Sequence, residues 1–143
     1  MARKNAPVLV KVPTIPSEMG SLSIVEAMDD IPFEIRRIYF LHKVPNNGGR
    51  GAHAHKELWQ LMISLSSNFT VVLNDGLGSI TSFTLDNPEQ GLLVPPGYWR
   101  DLVNFGPNAV CLVLASLKYD ENDYIRDFDL FVDWARLNAN SIL

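Results

Sequence analysis

The 143-residue chain is expected to be all-β, a sandwich or barrel with one helix near its C-terminus. Three observations predict this. Short runs rich in β-branched and aromatic residues recur along the chain, and Gly, Pro, Asn and Asp separate them. After Ser116 the alternating period gives way to a helical one. With 47% hydrophobic residues and no repeat, low-complexity tract or dividing linker, residues 1–143 read as one domain able to bury a real core.

In chain order the candidate strands are Val8–Val12, Ser21–Glu26, Arg36–Lys43, Trp59–Leu65, Phe69–Leu73, Ser79–Leu85, Gly91–Val94, Asp101–Phe105 and Val110–Ser116. Pro13 ends the first of them, and the loop Pro45-Asn46-Asn47-Gly48-Gly49-Arg50-Gly51 follows the third. Asn74-Asp75-Gly76 tolerates positive φ, so the runs on either side read as a hairpin, and Asp86-Asn87-Pro88 is expected to close the next one. Ile125, Phe128, Phe131, Val132 and Ala135 fall at spacings of three and four, an amphipathic helix whose apolar face must pack on the β-body.

Composition removes several function classes. Lys+Arg 12 against Asp+Glu 16 gives a net charge of −4 with no run of like charge, a poor basis for gripping nucleic-acid backbone. Cys111 is the single cysteine, so neither an internal disulfide nor a multi-cysteine zinc site can form. The apolar stretch Val8–Val10 is cut at once by Lys11 and Pro13, too short for a secretory signal, and Ala109–Ala115 is too short to cross a membrane. A cytoplasmic protein is the expectation.

The chemistry concentrates at His53 and His55. On a strand, residues i and i+2 share a face, so the two imidazoles are expected to project together into one pocket. A lone histidine is more often structural; a His-x-His after a Gly-rich loop in a small β-protein reverses those odds. Tyr39 on an alternating strand and the guanidinium groups of Arg50 and Arg100 complete an inventory suited to proton transfer beside a carbonyl. No activated Ser is visible, Cys111 lies mid-run and reads as buried and inert, and Gly48-Gly49-Arg50-Gly51 precedes a strand, unlike a phosphate-binding loop.

His53-Ala54-His55 and Pro95-Pro96-Gly97-Tyr98-Trp99 with Asn104 resemble the two motifs of the cupin superfamily, which implies an RmlC-like jelly-roll β-barrel with the C-terminal α-helix appended. That resemblance also implies metal ligands, but Trp59 and Gln60 stand at the glutamate positions and Arg100 where the second motif has histidine. A guanidinium cannot ligate a cation and repels one, so no metal is expected.

The chain further resembles a narrower group, the nucleotide-sugar 3,4-ketoisomerases (WxcM-like cupins), from about Leu22 to Asp133. The likeness is carried by Gly20-Ser21-Leu22, Arg36-Arg37-Ile38-Tyr39, Arg50-Gly51-Ala52-His53-Ala54-His55-Lys56, Leu73-Asn74-Asp75-Gly76 and Tyr119-Asp120-Glu121-Asn122-Asp123-Tyr124-Ile125-Arg126. The resemblance implies conversion of dTDP-4-keto-6-deoxy-D-glucose to its 3-keto isomer through an enediol, with no cofactor. By the same resemblance His53, His55 and Tyr39 are the catalytic residues, and Arg37, Arg50, Gln60, Arg100 and Lys56 bind the substrate. It also implies a homodimer with exchanged N-terminal strands. Many members carry Arg just before the Gly-Ser-Leu turn and His after the Trp of the second motif; here Met19 and Arg100 stand there, and Arg100 resembles the branch that makes the gluco product. A galacto-forming ketoisomerase, a metal-dependent cupin and a non-catalytic sugar-nucleotide binding module are the alternatives.

Overall fold

The computed structural model describes residues 5–142. The chain runs through β1 (Val8–Lys11), β2 (Thr14–Ile15), β3 (Leu22–Ser23), β4 (Arg37–Leu41), β5 (Arg50–His55), β6 (Gln60–Ser66) and β7 (Phe69–Asn74). It continues through β8 (Ile80–Leu85), β9 (Gln90–Val94), β10 (Trp99–Val103), β11 (Val110–Ala115), a 3-10 turn (Glu121–Asp123), β12 (Tyr124–Ile125), α1 (Phe128–Leu137) and α2 (Ala139–Ile142). No helix among the described residues is long and apolar enough to cross a membrane.

Two five-stranded antiparallel sheets, ordered β1-β9-β6-β11-β4 and β12-β5-β10-β7-β8, face each other as an RmlC-like jelly roll, with a small β2-β3 hairpin apart from them. Alternation dictates the filling: Phe69, Val71 and Leu73 of β7 turn inward and are fully buried, against Met62, Leu92, Val94, Cys111 and Val113 from the facing sheet. Each such side chain contributes roughly 1.5–3 kcal/mol by leaving water. This apolar plug fills part of the space between the sheets. The remainder is open and holds the site.

β7 and β8 form the expected hairpin, and Gly76 in its turn adopts φ +72. The turn at Asp86-Asn87-Pro88 does not close another. β8 and β9 belong to different sheets, so this turn carries the chain across the sandwich, a distinction that local turn chemistry cannot encode.

The helix is also shorter than its periodicity implied. Asp127 caps α1, its carboxylate accepting from the Leu130 N–H at 3.0 Å, so Ile125 lies outside the helix in β12, paired with Ala54 of β5. Its burial comes from the sheet edge it extends. Phe131 and Ala135 pack on Ala54, Trp99 and Ile125, as an apolar face seeking the β-body should.

β1 finds its partner within its own chain, Val8 to Lys11 running antiparallel to Leu93 to Gln90. The segment that follows, with Val12, Ile31 and Phe33, covers Leu61, Ile63 and Leu114 on that sheet's outer face. Ile38 and Phe40, on the edge strand β4, remain exposed.

Candidate active site

A cavity of about 980 Å³ opens between the sheets, walled by Arg37 and Tyr39 from β4, Arg50 and His53 from β5, Arg100 from β10, and Tyr124 and Arg126 from the C-terminal segment. The path of β5 into this wall is unusual. Gly51 has φ +92 and lies so close to β10 that a Cβ there would sit 2.7 Å from the Arg100 carbonyl oxygen, and the next residue, Ala52, is also left-handed. The β5–β10 register shifts between Arg100 and Asp101, which leaves Arg100 directly opposite His53.

His53 and His55 do project together, their ring centroids 4.8 Å apart and their planes nearly perpendicular. His53 reaches the cavity wall; His55 lies behind it, fully buried, with the Tyr124 ring 4.3 Å away. Both tautomers follow from what each Nδ1 faces. His53 Nδ1 is 3.0 Å from the Gly51 carbonyl oxygen and His55 Nδ1 is 2.9 Å from Asp123 Oδ2, and since both partners only accept, each Nδ1 carries the hydrogen. Each Nε2 is then a lone-pair base. Neither has a hydrogen-bond partner among the described residues.

Electrostatics keep these bases neutral. Burial, reinforced by the Arg100 cation, lowers His53 to about 3. Burial also lowers His55 to about 4, the Asp123 hydrogen bond offsetting only part of the effect. Burial alone would raise the Asp123 carboxyl, but the hydrogen bonds from His55 and from the Glu57 N–H (2.7 Å) outweigh it and hold it below its usual value.

Arg100 is 1% exposed and burial lowers it to about 10, yet it remains a cation at neutral pH. It donates to the Tyr98 carbonyl at 2.9 Å and to Gln60 Oε1, and Gln60 Nε2 donates to the Tyr39 hydroxyl at 2.8 Å. Burial raises the Tyr39 phenol. Nε and one terminal nitrogen of Arg37 and Nε of Arg100 are buried without partners among the described residues, donors left for a ligand's oxygens. A wall with four guanidinium groups favours an anionic ligand.

The structure thus brings Arg37, Tyr39, Arg50, His53 and Arg100 to one cavity. His55 and Gln60 stand one layer behind, holding members of that wall. Lys56 does not line the cavity: its exposed ammonium donates to the Asn122 carbonyl at 3.1 Å, tying β5 to the 3-10 turn. Asp123, Tyr124 and Arg126 also shape the site, although no single-residue pattern marks them. Their signal was the Tyr-Asp-Glu-Asn-Asp-Tyr-Ile-Arg run, whose β12 pairing lays Tyr124 against His55. Arg126 stacks 4.3 Å over Tyr124 while pairing with Glu121. Cys111 is buried with its thiol pushed up to about 12, inert as expected. Among the described residues no cluster of three or more His, Cys, Asp or Glu could hold a metal ion.

The family model described as FdtA: WxcM-like, C-terminal, matches residues 5–136. The TDP-4-oxo-6-deoxy-alpha-D-glucose-3,4-oxoisomerase of Aneurinibacillus thermoaerophilus is 42% identical over 120 residues, 83% of this chain and 86% of that protein. The 3,4-ketoisomerase QdtA from Thermoanaerobacterium thermosaccharolyticum, solved as a mutant in complex with TDP-4-keto-6-deoxyglucose, superposes with a TM-score of 0.89 at 37% identity over 92% of this chain and 94% of that one. The WlaRB TDP-quinovose 3,4-ketoisomerase from Campylobacter jejuni superposes with a TM-score of 0.86 at 38% identity over 91% of this chain and 98% of that one.

Proposed function

The chain belongs to the WxcM-like FdtA family, and on that premise we propose that it is a TDP-sugar 3,4-ketoisomerase that converts dTDP-4-keto-6-deoxy-D-glucose to dTDP-3-keto-6-deoxy-D-glucose. The observation that carries the reading is the pair of neutral histidines with lone pairs at Nε2, one on the wall of a cavity lined with guanidinium groups. The substrate's 4-ketone acidifies the hydrogen on C3. His53 Nε2, on the wall, takes that hydrogen as a proton, and the electron pair moves through the new C3–C4 double bond onto the C4 oxygen. Transfer of the C3 hydroxyl proton to the C4 oxygen and return of the abstracted or a solvent proton to C4 complete the exchange, leaving a C3 ketone and a C4 hydroxyl. Electrons balance within the sugar, so neither cofactor nor metal is called for.

Tyr39, Arg37 and Arg100 face the charge that develops on the sugar oxygens, and Arg50 and Arg126 suit the diphosphate. His55, buried behind His53 and held by Asp123, is the second member of the acid/base pair and acts on the sugar only through groups on the wall. Arg100 supports the gluco product, because its guanidinium, lowered only to about 10, gives up a proton at neutral pH far less readily than an imidazolium would. Likeness to a TDP-quinovose enzyme supports the same branch, quinovose having the gluco configuration. In a gluco product the hydrogen gained at C4 lies on the face opposite the one lost from C3, so acid and base are different groups. A galacto product would need transfer on one face only.

The product's C3 ketone suits an aminotransferase, placing the enzyme in cytoplasmic synthesis of a 3-amino sugar for surface glycans. A homodimer with exchanged N-terminal strands completes the proposal, and the exposed Ile38 and Phe40 of β4 offer a second copy an apolar face. Incubation with dTDP-4-keto-6-deoxy-D-glucose in deuterated water, followed by product NMR, tests it. A 3-keto product with deuterium at C4 in gluco configuration is expected; no turnover removes the activity, and a galacto centre at C4 removes the branch assignment.

A further inference from the structure

We infer that Gln60 sets the polarity of Tyr39: clamped by Arg100, its amide makes the phenol a hydrogen-bond donor to the substrate oxygen that becomes anionic when C3 loses its proton. The identity of that oxygen rests on the ketoisomerase reading. The polarity does not.

The amide oxygen and nitrogen of a glutamine are ordinarily hard to tell apart, but here chemistry decides. A guanidinium has only donors, so the amide atom facing Arg100 must be the oxygen. The nitrogen therefore faces Tyr39, 2.8 Å from the phenol oxygen, and donates to it. Gln60 and Arg100 are both essentially out of water, so solvent cannot offer either one another arrangement. The phenol oxygen thus accepts from Gln60, and its own hydrogen, which has no acceptor on that side, turns to the cavity that Tyr39 lines.

The sheet supplies the path. β11 lies between β4 and β6, and Ala115 is the residue opposite both Arg37 and Gln60. Its single methyl leaves room for Gln60 to reach across toward Tyr39. Arg100 arrives from the facing sheet, so the chain of hydrogen bonds from cation to amide to phenol spans the sandwich. Each member polarises the next, strengthening the hydrogen that Tyr39 offers. Gln60 and Arg100 are positioning residues here, and Tyr39 is the group that touches substrate.

Gln60→Glu tests this with almost no change of shape. A carboxylate accepts from Arg100 and also from the Tyr39 hydroxyl, which pulls the phenol hydrogen back from the cavity. We expect kcat to fall about 100-fold, the loss typical of one oxyanion donor, with KM and TDP affinity within about threefold of wild type. Tyr39→Phe should lose as much, and the double variant no more than the worse single one. Independently of activity, 13C NMR of Cζ-labelled tyrosine, assigned with Tyr39→Phe, should show the Tyr39 titration midpoint moving up in Gln60→Glu. Gln60→Met, which removes the donor and leaves the phenol free to rotate, should give a smaller loss and a smaller upward move than the glutamate, and it keeps the test open if the glutamate variant does not fold. A Tyr39 midpoint unmoved by the glutamate, or kcat within threefold of wild type, overturns the inference. An upward move in a protein whose wild type does not turn over the keto sugar supports the polarity and refutes the ketoisomerase reading alone.

Discussion

His55 and Asp123 stand 68 residues apart in the chain and meet through a hydrogen bond of 2.9 Å from Nδ1–H to Oδ2, with the histidine wholly out of water. The other carboxylate oxygen accepts from the Glu57 N–H at 2.7 Å, so Asp123 cannot rotate away without leaving two donors unpaired. The aspartate is held by the backbone and in turn holds the imidazole. Its effect on chemistry is the choice of tautomer.

Asp123→Asn should reverse that choice. The Glu57 N–H requires an acceptor and will face the amide oxygen, which puts the amide NH2 against His55 Nδ1 and moves the imidazole hydrogen to Nε2. His55 then presents a donor where it presented a lone pair. Loss of one acid/base group costs about 10²- to 10⁴-fold, so kcat should fall by at least 100-fold while the melting temperature moves little. A variant with kcat within threefold of wild type would show that the tautomer of His55 is irrelevant.

The pH response follows from the same pair. Unfolded, each imidazole takes a proton near pH 6.5. Folded, His53 stays neutral down to about 3 and His55 down to about 4. Between those limits the unfolded chain binds more protons, so stability falls as pH drops below 6.5, by up to about 1.4 kcal/mol per pH unit for each histidine. The bases themselves are unaffected, and kcat/KM should be level from pH 8 down to about 5. Urea midpoints and kcat/KM measured at intervals across that range check both halves; an acid limb in kcat/KM centred near 6.5 would contradict the neutral-base assignment.

How much of this was legible in the residues differs from one group to the next. The strands rich in Val, Leu and Phe, such as β7 and β11, announce themselves because side-chain pattern and burial coincide. β5 does not: Arg50-Gly51-Ala52-His53 has no β-branched residue, and only the His-x-His spacing marks it as a strand. The spacing located one wall of the site, and the alternation around Arg37 and Tyr39 another. Asp123 was invisible because its partner lies 68 residues away, and no local period reports a contact made by β12 closing on β5. Ile125 misled for a related reason, since burial at a sheet edge imitates burial on a helix face.

Gly76 ties the barrel to its helix. A Cβ there would lie 2.7 Å from the Ala135 Cβ and 3.0 Å from Phe131 Cε2, and the residue's φ of +72 already disfavours a side chain. Gly76→Ala combines left-handed strain with overpacking, each worth about 1–3 kcal/mol. A loss of about 2–4 kcal/mol in chemical denaturation is expected, with kcat nearly unchanged in the folded fraction, since neither α1 residue touches the cavity. Unaltered stability would mean that the turn and helix are not packed as described.

Metal removal should have no effect on turnover, and the reason lies in the donor set. A cation near the histidine pair would find two Nε2 lone pairs, but the strand position opposite His53 holds Arg100, a buried guanidinium with its positive charge fixed between Gln60 and Tyr98. At separations of several Å in a poorly screened interior, that charge opposes a divalent ion by several kcal/mol. The nearby Asp123 carboxylate is already engaged by His55 and the Glu57 N–H. Dialysis against a strong chelator should therefore leave kcat and KM as they were, and added Zn²⁺, Mn²⁺ or Fe²⁺ should not raise them. Activity that is lost on chelation and restored by one metal ion would mean that Arg100 moves aside, and would remove the proton-transfer scheme built on free imidazoles.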